Sequence, residues 1–154
     1  MKIAIRHARA DDEGFVLSLA GRFAETRPVW RTESEVTEGT VAELRRAFAQ
    51  PDDGSAILIA EYAAGKPLGF AYLVLHVDFF TGEKHGHVSE IAVAHDGNGV
   101  GRPLMEAANA YFRSVGVRFV TLNVNIANER AQRFYESLGY ATQLRQLVKV
   151  LSSP

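Results

Sequence analysis

Ile3 and Ile5 alternate with polar neighbours and predict an opening strand, after which Asp11, followed by Asp12 and Glu13, has the chemistry of an N-cap. A helix is expected from about Asp12 to Ala24. The stretch TRPVWRTESEVTEG has no clean period and contains Pro28 and Gly39, so it reads as a loop with at most one irregular helical turn. Thr40 and Glu43 form a capping-box pair ahead of Val41, Leu44 and Phe48, which starts a second helix at Thr40 and carries it to about Gln50. The apolar runs SAILIAEY and PLGFAYLVLHV, joined by AAGK, predict a hairpin, and the polar stretch DFFTGEKHGH leads into a third strand, VSEIAVA. Leu104, Met105, Ala108 and Phe112 recur at helical spacing between Arg102 and Val115, with Gly116 as the C-cap. RFVTLNVNI is the next strand. Asn128 opens a helix carrying Ala131, Phe134, Tyr135 and Leu138, ended by Gly139, and QLRQLVKVL alternates as one last strand or two short ones. Such mixed elements, with one parallel pair joined by the helix after a glycine loop, predict a three-layer α/β (α+β) arrangement.

Composition narrows this picture without changing it. At 154 residues and 47% hydrophobic, the chain suits one domain, taken as residues 1–154. A net charge of -1, with both signs interspersed, gives no electrostatic reason to expect nucleic acid or an anionic membrane as partner. The absence of cysteine excludes disulfides, thiolate nucleophiles and cysteine metal sites. No segment offers a secretory signal or the ~20 apolar residues of a membrane span, and a cytoplasmic location is expected.

The glycine loop HDGNGVG is the first chemical feature. Gly97, Gly99 and Gly101 stand at alternate positions between a strand and a helix, where backbone N–H groups, including those of Asn98 and Val100, can converge on a phosphate beside the positive end of a helix dipole. Arg102 and Pro103 open that helix, and Arg102 is placed to meet a phosphate. The spacing matches neither the P-loop nor the Rossmann fingerprint. Glu90 is a carboxylate inside an apolar strand, where burial would raise its pKa toward that of a useful base; alternation places it on one face with Val88 and Ala92. Asn128 is an N-cap on any reading, and Arg133, on the helix it opens, is a further phosphate candidate. His76, His85 and His87 include a His-x-His pair, but no third ligand has motif spacing, and no metal is expected.

These residues resemble the GNAT superfamily of acyl-CoA N-acyltransferases over nearly the whole chain. NERAQRFYESLGY is similar to the family's Asn-x-x-Ala-x-x-Phe-Tyr-x-x-x-Gly-aromatic pattern at Asn128, Ala131, Phe134, Tyr135, Gly139 and Tyr140. The glycine loop resembles the family's Arg/Gln-x-x-Gly-x-Gly pyrophosphate motif at Gly99 and Gly101, but Asp96 holds the first position, where its charge opposes a diphosphate. The resemblance implies a mixed, mostly antiparallel sheet of six to seven strands with a splayed parallel pair, flanked by about four helices. It implies acetyl-CoA as co-substrate, with pantetheine pairing to exposed backbone and a main-chain N–H among Ile91, Ala92 and Val93 polarising the thioester carbonyl. Tyr135 takes the position that protonates the departing thiolate, Glu90 is the candidate base, and Asn128 gains a possible coenzyme contact. A homodimer is expected from the resemblance alone.

Trp30, Asp78, Phe79 and Phe80, in the two long polar segments, combine aromatic rings with a carboxylate and are the expected substrate contacts, suiting a cationic amine with an apolar body, while Arg27 and Arg31 suit an acid group equally; small amine, amino-acid derivative, antibiotic and protein lysine are all open as acceptors. The competing reading is a catalytically silent CoA-binding or interaction module on the same fold.

Overall fold

The computed structural model describes residues 2–152. In chain order the elements are β1 (Ile3–His7), a 3-10 turn (Ala10–Asp12), α1 (Glu13–Ser18), a second 3-10 turn (Ala20–Ala24), α2 (Glu33–Ala49), β2 (Ala56–Tyr62), β3 (Pro67–Val77), β4 (Lys84–Val93), α3 (Gly101–Ser114), β5 (Val120–Leu122) and α4 (Glu129–Ser137). The strands form one sheet in sequential order, antiparallel from β1 to β4, with β5 parallel to β4.

Each face of the sheet carries its own core. On one, Leu58, Ala71, Leu73 and Val88 meet Leu104, Met105, Ala108 and Phe112 of α3, with Phe134 and Tyr135 of α4 and the C-cap residue Leu138 packed at the margin. On the other, Ile59, Phe70, Tyr72 and Ala92 meet Val16 of α1 and Leu44 and Ala47 of α2. The three layers follow from strand alternation on one side and helical spacing on the other.

A bulge in β4 decides which core Glu90 faces. Leu73 pairs with Val88 but Tyr72 pairs with Glu90, so Ser89 has no opposite number on β3. The extra residue turns Val88 toward the α3 side while Glu90 and Ala92 face the α2 side. Val88 and Glu90 therefore do not share a face, contrary to simple alternation.

Other expectations also change. The sheet has five strands among the described residues, not six to seven, because residues 140–152 adopt no regular structure and RFVTLNVNI contributes only Val120–Leu122. Alternation supplies strand propensity, but a strand also needs a neighbour's hydrogen bonds, and the tail has none. Helix α2 starts at Glu33 rather than Thr40. Thr32 and Glu35 make the working capping box, with Thr32 Oγ1 accepting from Glu35 N at 3.1 Å and Glu35 Oε2 from Thr32 N at 2.9 Å. Gly39 costs a helix about 1 kcal/mol, too little to stop one anchored by buried Leu44 and Ala47. The first helical region is split into a 3-10 turn, α1 and another 3-10 turn, and its N-cap is Arg9, whose N–H donates to Asp12 Oδ2 at 2.6 Å, rather than Asp11. The polar stretch before the third strand is shorter than expected, since β4 begins at Lys84.

Candidate active site

Strands β4 and β5 pair only from Gly86↔Val120 to Val88↔Leu122. Beyond Val88 the two part, leaving the β5-facing edge of residues 89–93 without a strand partner. A cleft of about 610 Å³ opens there, floored by Ser89 to Val93, walled on one side by Leu122 to Asn125 and on the other by His95 to Arg102, and roofed by Ala131, Phe134 and Tyr135 of α4. Unpaired backbone at such an edge can hydrogen-bond an extended ligand as another strand would.

The loop from His95 to Val100 closes the far end. Gly97 and Gly99 adopt φ values of 81° and 69°, which side chains with a Cβ rarely tolerate, and so turn the chain into α3. Gly101 lets α4 approach, since a Cβ there would lie 3.2 Å from the Phe134 ring. The N-terminus of α3 carries no capping side chain and no acidic residue in its first turn, whereas α2 and α4 are both capped. Its first N–H groups remain available to an anion.

Asp96 does not stand as a bare negative charge. Its Oδ1 lies 2.8 Å from Arg22 Nη2 and its Oδ2 lies 2.9 Å from Arg130 Nη1. Arg22 comes from the second 3-10 turn and Arg130 from α4, so two cations meet Asp96, and Glu25 is the other carboxylate lining this part of the cleft. Together with Arg102 they make this end of the cleft positive.

Two titratable groups also line the cleft. Tyr135 is packed against Phe134 and Tyr140, with ring centroids 5.4 and 6.0 Å away, and its pKa is pushed up to about 12, mainly by burial and secondarily by Tyr140. Glu90 Oε2 is buried and has no hydrogen-bond partner, and burial raises the Glu90 pKa above the ordinary carboxylate range, partly offset by a hydrogen bond from Ser89 and reinforced by the nearby charge of Glu43. Glu90 also borders a second cavity of about 290 Å³, lined by Arg31, Glu35, Val36, Gly39, Thr40 and Glu43. It is thus the residue common to both spaces.

A profile of the Acetyltransferase (GNAT) family matches residues 22–140, which takes in α2, the sheet from β2 onward, the glycine loop and α4. The chain belongs to the GNAT family. Among its relatives, the mycothiol acetyltransferase of Thermobispora bispora is 32% identical over 136 residues, covering 84% of this chain and 43% of that protein. The mycothiol acetyltransferase of Propionibacterium freudenreichii subsp. shermanii is 33% identical over 105 residues, covering 66% of this chain and 33% of that protein. This GNAT chain thus spans a third to under half the length of the curated relatives it matches. Solved structures that share its fold include AAC(6')-Iy in complex with the bisubstrate analogue CoA-S-monomethyl-acetylneamine, at TM-score 0.74, 18% identity and 99% coverage of both chains, and glucosamine-6-phosphate N-acetyltransferase from Arabidopsis thaliana, at TM-score 0.67, 22% identity and coverage of 99% and 100%.

Of the residues singled out in the sequence, Glu90, Ile91, Ala92, Val93, Gly97, Asn98, Gly99, Val100, Gly101, Arg102, Asn128 and Tyr135 all border the cleft. The Ala92 and Val100 side chains point into the two cores, so only their backbone faces it. Asn128 Oδ1 accepts from Ala131 N at 3.1 Å as the α4 cap. Arg133 does not border the cleft; it is exposed, 3.9 Å from Glu129. Asp78, Phe79 and Phe80 are likewise remote, in the β3–β4 turn some 20 Å along β4 from Glu90 at ~3.3 Å per residue. There Asp78 Oδ1 accepts from Phe80 N and Thr81 N, and both phenylalanines are almost fully exposed. Trp30 borders neither space, but the Arg31 guanidinium stacks 4.3 Å above its ring and itself lines the second cavity. Sequence reasoning missed Arg22, Glu35 and Glu43. Nothing local marks Arg22, whose partner Asp96 is distant in sequence, and the two glutamates were assigned to a loop and to a helix cap.

Proposed function

We propose that this chain is an acetyl-CoA-dependent N-acetyltransferase whose acceptor is a small cationic amine. The observation that carries the reading is Glu90, a half-buried carboxylate with one buried, unpartnered oxygen, joining a cleft suited to an extended phosphorylated ligand to a second cavity lined by Glu35 and Glu43. A transferase needs two substrates to meet at one group able to move a proton. Glu43 is held by Arg46, with Nη2 2.8 Å from Oε1, so the lining carboxylates exceed the cations Arg31 and Arg46 by one, which favours a positively charged acceptor. The solved relatives that act on amino sugars, by their names, are consistent with that chemistry.

Gly97 to Gly101 and the uncapped start of α3 would hold the diphosphate, with Arg22, Arg102 and Arg130 adding charge. The open edge of β4 would pair with the pantetheine arm, and a backbone N–H among Ile91 to Val93 would face the thioester oxygen. Acetyl-CoA supplies the activated acyl group. Glu90, with its raised pKa, accepts the proton of the attacking amine, directly or through water, and Tyr135, protonated at neutral pH, donates toward the departing sulfur. No acyl-enzyme is required, in keeping with a chain that has no cysteine. We further propose a homodimer, supported by Leu144, Leu147 and Leu151, each 86% exposed or more on the unpaired tail.

The test is calorimetric titration with acetyl-CoA together with a panel of amines read by release of free thiol. Binding plus turnover with cationic amines is expected. Binding without turnover on any amine would favour the silent CoA-binding reading, and absence of binding at millimolar coenzyme would overturn both coenzyme readings in favour of an interaction module.

A further inference from the structure

Asp96 stands where the family pattern carries Arg or Gln, and an isolated carboxylate beside a diphosphate would weaken binding. The geometry around it points to the opposite effect. Each carboxylate oxygen engages a different arginine, Oδ1 with Arg22 and Oδ2 with Arg130, at 2.8 and 2.9 Å. Arg22 also donates from Nη1 to Ala94 O at 3.3 Å, which ties it to the end of β4. A guanidinium has five N–H donors, so each arginine keeps donors free after meeting Asp96. Both arginines and Asp96 border the coenzyme cleft, and the three together carry one net positive charge.

We propose, on the basis of the coenzyme reading above, that Asp96 is a positioning residue: it pins Arg22 and Arg130 on either side of the glycine loop so that their remaining N–H groups meet the coenzyme diphosphate. The aspartate adds no positive charge; it holds in place two cations from elements that the fold already brings there. The benefit is preorganisation. Arginine has many rotamers, and fixing two of them before the ligand arrives removes an ordering cost that binding would otherwise bear. The ion pairs themselves are half exposed and add little to stability.

The decisive variants are Asp96→Ala and Asp96→Asn, measured for acetyl-CoA affinity by calorimetry and for the split between KM and kcat in thiol release. Asp96→Ala is expected to weaken acetyl-CoA binding roughly 5- to 100-fold, the range for freeing two long side chains, with kcat at saturating coenzyme within about twofold of wild type. Asp96→Asn, which keeps one acceptor oxygen, should fall between. In an Arg22→Ala, Arg130→Ala background the Asp96→Ala loss should vanish, and it should also be absent with S-acetylpantetheine, a donor without the diphosphate. Tighter or unchanged acetyl-CoA binding by Asp96→Ala overturns the proposal alone. A loss of equal size with S-acetylpantetheine does so too, since it would show a structural effect on the cleft. Wild-type protein that fails to bind acetyl-CoA overturns the coenzyme reading and this proposal with it.

Discussion

Replacing Tyr135 with Phe removes one hydroxyl and leaves the ring packed against Phe134 and Tyr140. The magnitude follows from acidity. A free thiol has a pKa near ~8.5, while burial pushes the Tyr135 phenol up to about 12. Full transfer of its proton to a thiolate would then be uphill by about 3.5 units, or roughly 5 kcal/mol at about 1.4 kcal/mol per unit. The hydroxyl therefore contributes chiefly as a hydrogen bond to the charge developing on sulfur, worth about 1.5–3 kcal/mol. That corresponds to roughly 10- to 150-fold in kcat, below the ~10⁴-fold upper end for general acid catalysis because a thiolate leaves readily. Thiol release should be followed at saturating acetyl-CoA with the best amine of the panel, alongside thermal unfolding and coenzyme titration. Stability should stay within about 1 kcal/mol, the scale of one hydrogen bond. If Tyr135→Phe binds coenzyme normally and its kcat lies within twofold of wild type, Tyr135 is a packing residue and the assignment is refuted.

Glu90→Gln should lower kcat and abolish the acidic limb of its pH profile, which in the wild type lies above the ordinary carboxylate range because burial raises the Glu90 pKa. A raised folded-state pKa makes the ionised group oppose folding, so wild-type stability declines as pH rises from the unfolded value through the folded one; Glu90→Gln should lack this decline in pH-dependent denaturant unfolding. Asp12 is buried, receives two N–H bonds from Arg6 at 2.7 and 3.0 Å, and has its pKa lowered mainly by that contact. Its contribution is present above the unfolded carboxylate pKa and is lost as pH falls through the depressed folded one. Asp12→Ala should therefore cost about 3 kcal/mol at pH 7 in urea unfolding, with the gap to wild type closing in acid. Light scattering should give twice the 16.9 kDa chain mass, and Leu144→Ser with Leu147→Ser should reduce it to one; a wild-type monomer at tens of micromolar would contradict the dimer.

Features written in consecutive residues were legible before any fold was known. Helix α4 runs from its Asn128 cap to Gly139 at φ 92°, as its string suggests, because cap, periodicity and left-handed stop all lie within one short segment. The same holds for α3 and for the hairpin at AAGK, where Tyr62 and Lys66 close the turn. The capping box at Thr32 and Glu35 lies in a stretch that reads as loop for want of a clean period and because of Pro28 and Gly39, and the fold uses it because α2 has a longer face to bury.

The sequence by itself determined the family string, the glycine turn and the residue types able to move protons, since those depend on neighbours within a few positions. Tertiary structure decided where they act. It ended the β4–β5 pairing at Val88, which made the cleft, and it inserted the Ser89 bulge, which turned Glu90 toward the acidic cavity. It also brought Arg22 and Arg130 onto Asp96, converting an apparent repulsion into a positively charged loop. Charge at a site is a sum over space, and residues far apart in the chain supply most of that sum.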